Sequence, residues 1–126
     1  MGLADVLVLA PAAFFAGMGG LALARPTRIV DRFSVEVASL DGRNEIRAVY
    51  GGFGLAVSAL LVWASVTDGT GEVWIPGTVA ALCLGMAAGR VLSFTIDRTH
   101  GSAVVWSYLL LELALALSLF GSCALR

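Results

Sequence analysis

Residues 103–125 read AVVWSYLLLELALALSLFGSCAL, an apolar run that contains a single charged residue, Glu112. A helix needs about 20 apolar residues to cross the hydrocarbon core of a bilayer, so this run is long enough to span a membrane. Three further stretches have the same character, namely residues 3–24, 48–67 and 75–96. The sequence therefore predicts an all-α integral membrane protein with four transmembrane helices.

The composition agrees with this class and excludes several functions. Only 13% of the 126 residues are charged, against roughly 25% in soluble domains. The length predicts a single transmembrane domain, residues 1–126. The net charge of −1 offers no basic face for nucleic acid. Two isolated cysteines, one histidine and no Ser-His-Asp pattern predict no metal, no cofactor and no enzymatic activity.

The distribution of arginine predicts the orientation. Five arginines lie in residues 25–47 and one in residues 97–102, whereas residues 68–74 hold Asp68 and Glu72 and no basic residue. Cytoplasmic loops of membrane proteins are enriched in Lys and Arg. We therefore expect the two arginine-bearing connections on the cytoplasmic side of a bacterial inner membrane, and both termini on the periplasmic or exterior side.

The connections also predict the topology. Residues 68–74 and 97–102 are short, so the helices that they join must be antiparallel neighbours, as in an up-down four-helix bundle. Residues 25–47 are long enough for structure of their own: Ile29 and its apolar neighbours suit a short interfacial helix, and residues 33–37 alternate like an extended segment. A helical spacing of apolar residues competes with the extended segment. We favour a short helix followed by an extended return.

Glycine-rich segments indicate where helices approach each other closely. Residues 85–89 form a GxxxG motif in the third span, and residues 17–20 and 51–54 are also rich in glycine. Helices in a bilayer associate through close backbone packing, which small residues permit. We expect these glycines to mark contacts within the chain. An interface between copies of the chain, in a homo-oligomer, is the alternative.

Polar residues inside the apolar chain are candidates for function, because a charge at membrane depth is costly. Arg90 lies about 9 Å and Glu112 about 13 Å from the arginine-rich ends of their helices, at the usual rise of about 1.5 Å per residue. The antiparallel arrangement places seven candidate residues in the same half of the bundle: Glu45, Arg47, Tyr50, Arg90, Ser93, Asp97 and Glu112.

Three interpretations of these residues remain open. In the first, a salt-bridge network locks the helices together, with Arg90 or Arg47 neutralising Glu112. In the second, the residues line a polar pocket for a lipid head group or small polar ligand. In the third, Glu112 serves a proton-coupled carrier, since a desolvated carboxylate readily exchanges protons. The sequence also leaves open whether Arg90 pairs with Glu112 or with Asp97.

The segment EIRAVYGG at residues 45–52 resembles the E-[IL]-R-A-x-Y-G-G signature of a family of small bacterial membrane proteins of unknown function with four transmembrane helices. Further similarities are a proline after the first helix (Pro26), a G-R-x-[LIV]-S segment at residues 89–93, an acidic residue beyond it (Asp97) and a glutamate in the last helix (Glu112). The resemblance covers nearly the whole chain. It implies the four-helix fold and topology, and it implies no activity.

Two functions fit these observations. The first is an accessory or structural subunit that packs against a larger membrane complex, which the short loops, the small residues and the lack of a catalytic set favour. The second is a binding or carrier protein for a lipid, an isoprenoid or a small amphiphile, with the polar residues as its site. We favour the accessory subunit, with membrane lipids and either a larger complex or a second copy as its partners.

Overall fold

The computed structural model describes residues 1–67, 69, 71–98 and 100–126. Within these ranges the chain forms five helices, which we label α1 (Leu3–Ala24), α2 (Pro26–Asp31), α3 (Leu40–Val66), α4 (Gly71–Ile96) and α5 (Ala103–Ala124). No strand occurs in the described residues, so the predicted all-α fold is confirmed. Four of the helices, α1, α3, α4 and α5, correspond to the predicted spans. Asp68, predicted on the loop after α3, lies outside the described residues.

The four long helices are long and apolar enough to cross a membrane. Large apolar side chains on their outer surfaces are exposed, for example Leu92 (58% exposed) on α4 and Leu117 (73%) on α5. A helix suits this position in lipid, because all of its central backbone polar groups are hydrogen-bonded within the segment. The chain is therefore a multi-pass membrane protein.

The helices pack as a ring of neighbours in an up-down bundle. α1 packs against α3 and α5, and α4 pairs extensively with α5. α3 and α4 contact each other more sparsely, although they follow one another in the chain. The main core takes buried side chains from all four helices, including Val8, Leu61, Cys83 and Leu119. The α1–α3 and α4–α5 interfaces are thus the most extensive, and the α3–α4 interface, which we call the seam, is the sparsest of the four.

The second span begins earlier than its apolar run suggests. α3 starts at Leu40, whereas the predicted span starts at residue 48. The apolar run does not reveal the first turns of the helix, because these turns are polar. The hydroxyl of Ser39 caps this start by accepting a hydrogen bond from Gly42 N (3.0 Å). A π-helical turn, Arg47–Gly52, connects the polar turns to the apolar part of α3. Hydropathy alone therefore underestimates the length of α3 at this end.

The chain between α1 and α3 folds back over the arginine-rich end of the bundle. Ile29 and Val30 on α2 are buried with Ala22 and Ile46 in a small second core. After α2, residues 35–38 lie in neither helix nor strand. This short helix and non-helical return agree with the prediction, and they attach the first turns of α3 to α1.

Glycines bring α1 and α3 into backbone contact. A Cβ added at Gly19 would lie 2.9 Å from Gly51 O, and one added at Gly54 would lie 3.2 Å from Phe15 O. The first distance is too short for any real Cβ atom and the second is tighter than ordinary contact. The prediction of close contacts within the chain is confirmed for these glycines, because a Cβ at Gly19 would collide with the α3 backbone and one at Gly54 would require the α1 backbone to shift.

The same prediction is wrong for the GxxxG motif of α4. A Cβ added at Gly85 or Gly89 would meet nothing within 4 Å. α4 instead turns other residues towards its neighbours, and it buries Val79, Cys83 and Ala87. The motif lies on the outer surface of the bundle because the helix is rotated to bury the face that carries these larger side chains.

Arg126 closes the opposite end of the bundle. Its Nη2 lies 2.9 Å from Asp5 Oδ1 and its Nη1 lies 2.9 Å from Glu72 Oε2. Nη1 also donates to Ala64 O at 3.4 Å. These contacts connect the end of α5 to α1, α3 and α4. We call Asp5, Glu72 and Arg126 the Arg126 clasp.

Candidate functional site

Arg90 on α4 and Glu112 on α5 form an ion pair inside the bundle. Arg90 Nε lies 2.9 Å from both carboxylate oxygens of Glu112, and Arg90 Nη2 lies 2.8 Å from Oε1. Glu112 is 4% exposed, and the side chain of Arg90 is 25% exposed. The two residues meet because antiparallel neighbouring helices bring positions of similar depth together. The partner of Arg90 is therefore Glu112 and not Asp97.

Two aromatic rings cover the guanidinium of Arg90. Its Cζ lies 5.7 Å from the ring centre of Phe33 and 5.4 Å from that of Tyr108, and the two rings are 4.9 Å apart. A cation over an aromatic face is attracted by the ring quadrupole. Tyr108 comes from α5, one turn before Glu112, and Phe33 comes from the turn after α2. The rings therefore help to hold the guanidinium in place.

The ion pair is neutral as a unit, and each partner depends on the other. Removing one partner of a buried pair leaves an uncompensated charge, which is strongly destabilising. Both carboxylate oxygens of Glu112 accept hydrogen bonds from Arg90. Loss of the negative charge on Glu112 would leave Arg90 without a counter-ion, which argues against the proton-carrier interpretation. The arrangement is suited to locking α4 to α5 and to presenting the remaining guanidinium N–H groups.

The other charged candidates on α3 and α4 bond elsewhere. Ser93 on α4 donates a hydrogen bond at 3.0 Å to Oδ2 of Asp97, which directly follows α4, and both residues are exposed. Arg47 Nε donates to Leu23 O at 3.0 Å, so it ties the π-helical turn of α3 to the end of α1. Arg90, and not Arg47, neutralises Glu112. The candidates share one end of the bundle but form separate groups, because the helices rotate their side chains in different directions.

Tyr50 and Glu45 differ in their relation to the ion pair. Tyr50 is 36% exposed and lies near enough to Arg90 to interact with it electrostatically. Glu45 is exposed near the start of α3, where it lines a surface groove together with Glu36 and Ser39. The structure thus brings Arg90, Glu112 and Tyr50 together and leaves Glu45 apart.

Sequence reasoning missed the two aromatic residues of the site. Tyr108 precedes Glu112 by four residues, so helical periodicity places both on one face and would have identified it. Phe33 carries no comparable signal, because it lies in a turn whose path depends on how α2 packs. In the residues that the structure describes, no three His, Cys, Asp or Glu side chains lie together as metal ligands.

Comparison with protein families matches residues 3–121 to a family described as Domain of unknown function (DUF4345). No curated protein and no solved structure matches the chain. The matched residues include the Arg90–Glu112 pair and most of the length of each of the four spans. The E-[IL]-R-A-x-Y-G-G signature and a bacterial origin stay predictions. Because the match covers nearly the whole chain, this membrane protein belongs to the family described as Domain of unknown function (DUF4345).

Proposed function

We propose that this protein is an accessory subunit of a larger membrane complex, with no catalytic reaction of its own. It lies in a bacterial inner membrane with both termini on the exterior side. The surface that docks a partner helix is the outer face of α4 around Gly85 and Gly89, which we call the glycine face.

The observation that carries the proposal is the open space at these two glycines. A Cβ added at Gly85 or Gly89 would meet no atom of another described element within 4 Å, whereas one added at Gly19 would meet the backbone of α3 at 2.9 Å. Ala81 is also exposed and continues the stripe at intervals of four residues, along one face of the helix. Stripes of small residues let transmembrane helices approach closely and associate by backbone packing. α4 has such a stripe, and none of the described helices packs against it at Gly85 or Gly89.

The ion pair supports this role by holding α4 in place. Arg90 directly follows Gly89 and is attached to Glu112 of α5 by three hydrogen bonds. A surface that is rigid before association loses less conformational entropy on binding. The pair thus orients the glycine face towards lipid and towards a partner, which gives a physical reason for a charged pair at this depth.

The proposal is tested by extracting the protein gently from its native membrane and measuring which proteins co-purify. The test variant carries Gly85→Leu and Gly89→Leu, which place bulk on the glycine face. The matched control carries Gly17→Leu and Gly20→Leu, because these glycines of α1 are also exposed and have no neighbouring atom within 4 Å.

We expect a larger membrane protein to co-purify in fixed stoichiometry with the wild type and with the α1 control, and to be lost from the α4 variant. Equal recovery with both double variants would show that the glycine face is not the docking surface. Recovery of only a second copy of this chain would replace the accessory role with self-association.

A further inference from the structure

The loosely packed seam between α3 and α4 contains an apolar cavity of about 170 Å³. Its floor is buried, since Val57 is 5% exposed and Cys83 is fully buried, whereas Phe53, Leu82 and Met86 are each about half exposed at its mouth. The lining residues are Phe15, Phe53, Val57, Val79, Leu82, Cys83 and Met86. The cavity therefore opens on the side of the bundle that faces the hydrocarbon of the membrane.

The volume sets the size of the group that fits. An apolar cavity of about 150 Å³ lined by Leu, Ile and Phe side chains stays dry and binds benzene. The cavity at the seam accordingly takes a six-carbon ring or a chain segment of about that volume. Water would find no polar partner there, because every lining side chain is apolar or a thiol.

Polar groups lie one helical turn from this cavity, towards the arginine-rich end. On α4, Arg90 follows Met86 by four residues, and on α3, Tyr50 precedes Phe53 by three. Met86 and Arg90, four residues apart, share a face of α4, and Tyr50 lies in the π-helical turn that directly precedes Phe53 on α3. Tyr50 lies close enough for a charge on its hydroxyl to act on Arg90, so the two groups are at the same end of the seam.

The hydrogen bonds of Arg90 show which donors remain for a ligand. Nε and Nη2 donate to Glu112, and among the described residues Nη1 donates to no acceptor. A guanidinium carries five N–H donors and a tyrosine hydroxyl one. Because Glu112 already neutralises Arg90, a ligand that adds a negative charge would leave the site with an excess of negative charge in a low-dielectric environment. An uncharged oxygen acceptor is therefore the best partner for these donors.

The backbone around Tyr50 is a second, independent observation. Tyr50 lies in the π-helical turn Arg47–Gly52, which Arg47 holds against α1 through Leu23 O. π-helical turns are rare and occur frequently at functional sites, because they turn side chains away from the regular helical positions. Here such a turn is the segment that carries the tyrosine of the seam.

We propose that the seam binds a neutral amphiphile, with its ring or chain in the apolar cavity and a carbonyl oxygen hydrogen-bonded to Arg90 and Tyr50. The ligand enters sideways from the membrane between α3 and α4. This inference goes beyond the accessory role, since it concerns a ligand site in the seam, beside the glycine face of α4, and not the docking of a partner helix.

The test uses the full chain in lipid nanodiscs and a dodecan-2-one probe that carries a diazirine on its chain. Light-induced labelling is mapped by peptide mass spectrometry and is competed with unlabelled dodecan-2-one, dodecane or dodecanoate. We expect saturable labelling of the segments that contain Phe53 and Met86. We expect the ketone to displace the probe about tenfold better than the alkane, the factor that a single net hydrogen bond supplies, and better than the carboxylate at neutral pH.

Variants distinguish the contribution of the cavity to binding from that of the polar end of the site. Val57→Phe fills the floor, and Met86→Trp fills the mouth at a position that is half exposed and hence tolerant of bulk. Either variant is expected to abolish saturable labelling. The double variant Arg90→Leu, Glu112→Leu keeps the cavity and is expected to remove the advantage of the ketone over the alkane. Leu117→Phe, on the exposed surface of α5, is the control that leaves labelling unchanged.

Three results would each overturn the proposal. The first is labelling that does not saturate or that falls outside α3 and α4. The second is unchanged labelling in Met86→Trp. The third is equal displacement by ketone and alkane in the wild type, since the polar end would then contribute nothing. None of these measurements depends on whether a partner protein docks on the glycine face.

Discussion

Replacing Glu112 by glutamine is the most direct test of the ion pair. The substitution keeps the shape of the side chain and removes its charge, so Arg90 stays charged without a counter-ion. Removing one partner of a buried pair lowers the free energy of unfolding by about 3–5 kcal/mol. The side chain of Arg90 is 25% exposed, so lipid head groups and water screen part of this effect. We expect a loss of about 3 kcal/mol, near the lower end of the range.

The matched comparison replaces both partners by leucine. The variant Arg90→Leu, Glu112→Leu leaves no stranded charge, and substitution of a whole buried pair by apolar residues is often neutral or stabilising. We expect its free energy of unfolding to lie within about 1 kcal/mol of the wild type. The single substitution Arg90→Leu strands Glu112, which is 4% exposed, and is expected to be at least as harmful as Glu112→Gln.

The assay is reversible unfolding of the protein in mixed micelles, followed by tryptophan fluorescence. Asp97→Asn is the control, because Asp97 is exposed just beyond the end of α4 and bonds only to Ser93 among the described residues. Its expected effect is below about 0.5 kcal/mol. If Glu112→Gln changes stability no more than Asp97→Asn does, the pair does not lock α4 to α5 and the reasoning is refuted.

Three further predictions concern other parts of the molecule. Gly19→Ala should lower the free energy of unfolding by about 1–3 kcal/mol, because its Cβ would lie 2.9 Å from the α3 backbone. Gly17→Ala, which places its Cβ in open space, should leave the free energy of unfolding unchanged. Equal effects of the two variants in the same unfolding assay would contradict the proposed packing. Arg126→Gln breaks the Arg126 clasp and should cost about 1–3 kcal/mol, against no measurable change for the exposed Arg28→Gln. Alkaline phosphatase fused after Arg126 should be active in bacteria, and an inactive fusion with normal expression would reverse the proposed orientation.

Much of the fold follows from the lengths of apolar segments. The runs at residues 3–24 and 103–125 predicted α1 and α5 to within one residue at each end. Short connections then required antiparallel neighbours, which brought Arg90 to the depth of Glu112. The presence of an arginine and a glutamate at this depth was also visible in the sequence, because charged residues are rare in apolar runs.

The tertiary structure decided how each helix is rotated about its axis. Periodicity shows which residues share a face, but only the packing of whole helices shows which face is buried. Gly19 therefore packs against α3 whereas Gly85, in an equally suggestive motif, faces outwards. The rotation of α4 also directs Arg90 towards Glu112 and not towards Asp97, and it leaves a cavity at the seam. Phe33 reaches the site because the turn after α2 packs against Tyr108 of α5, a long-range contact that no local pattern contains.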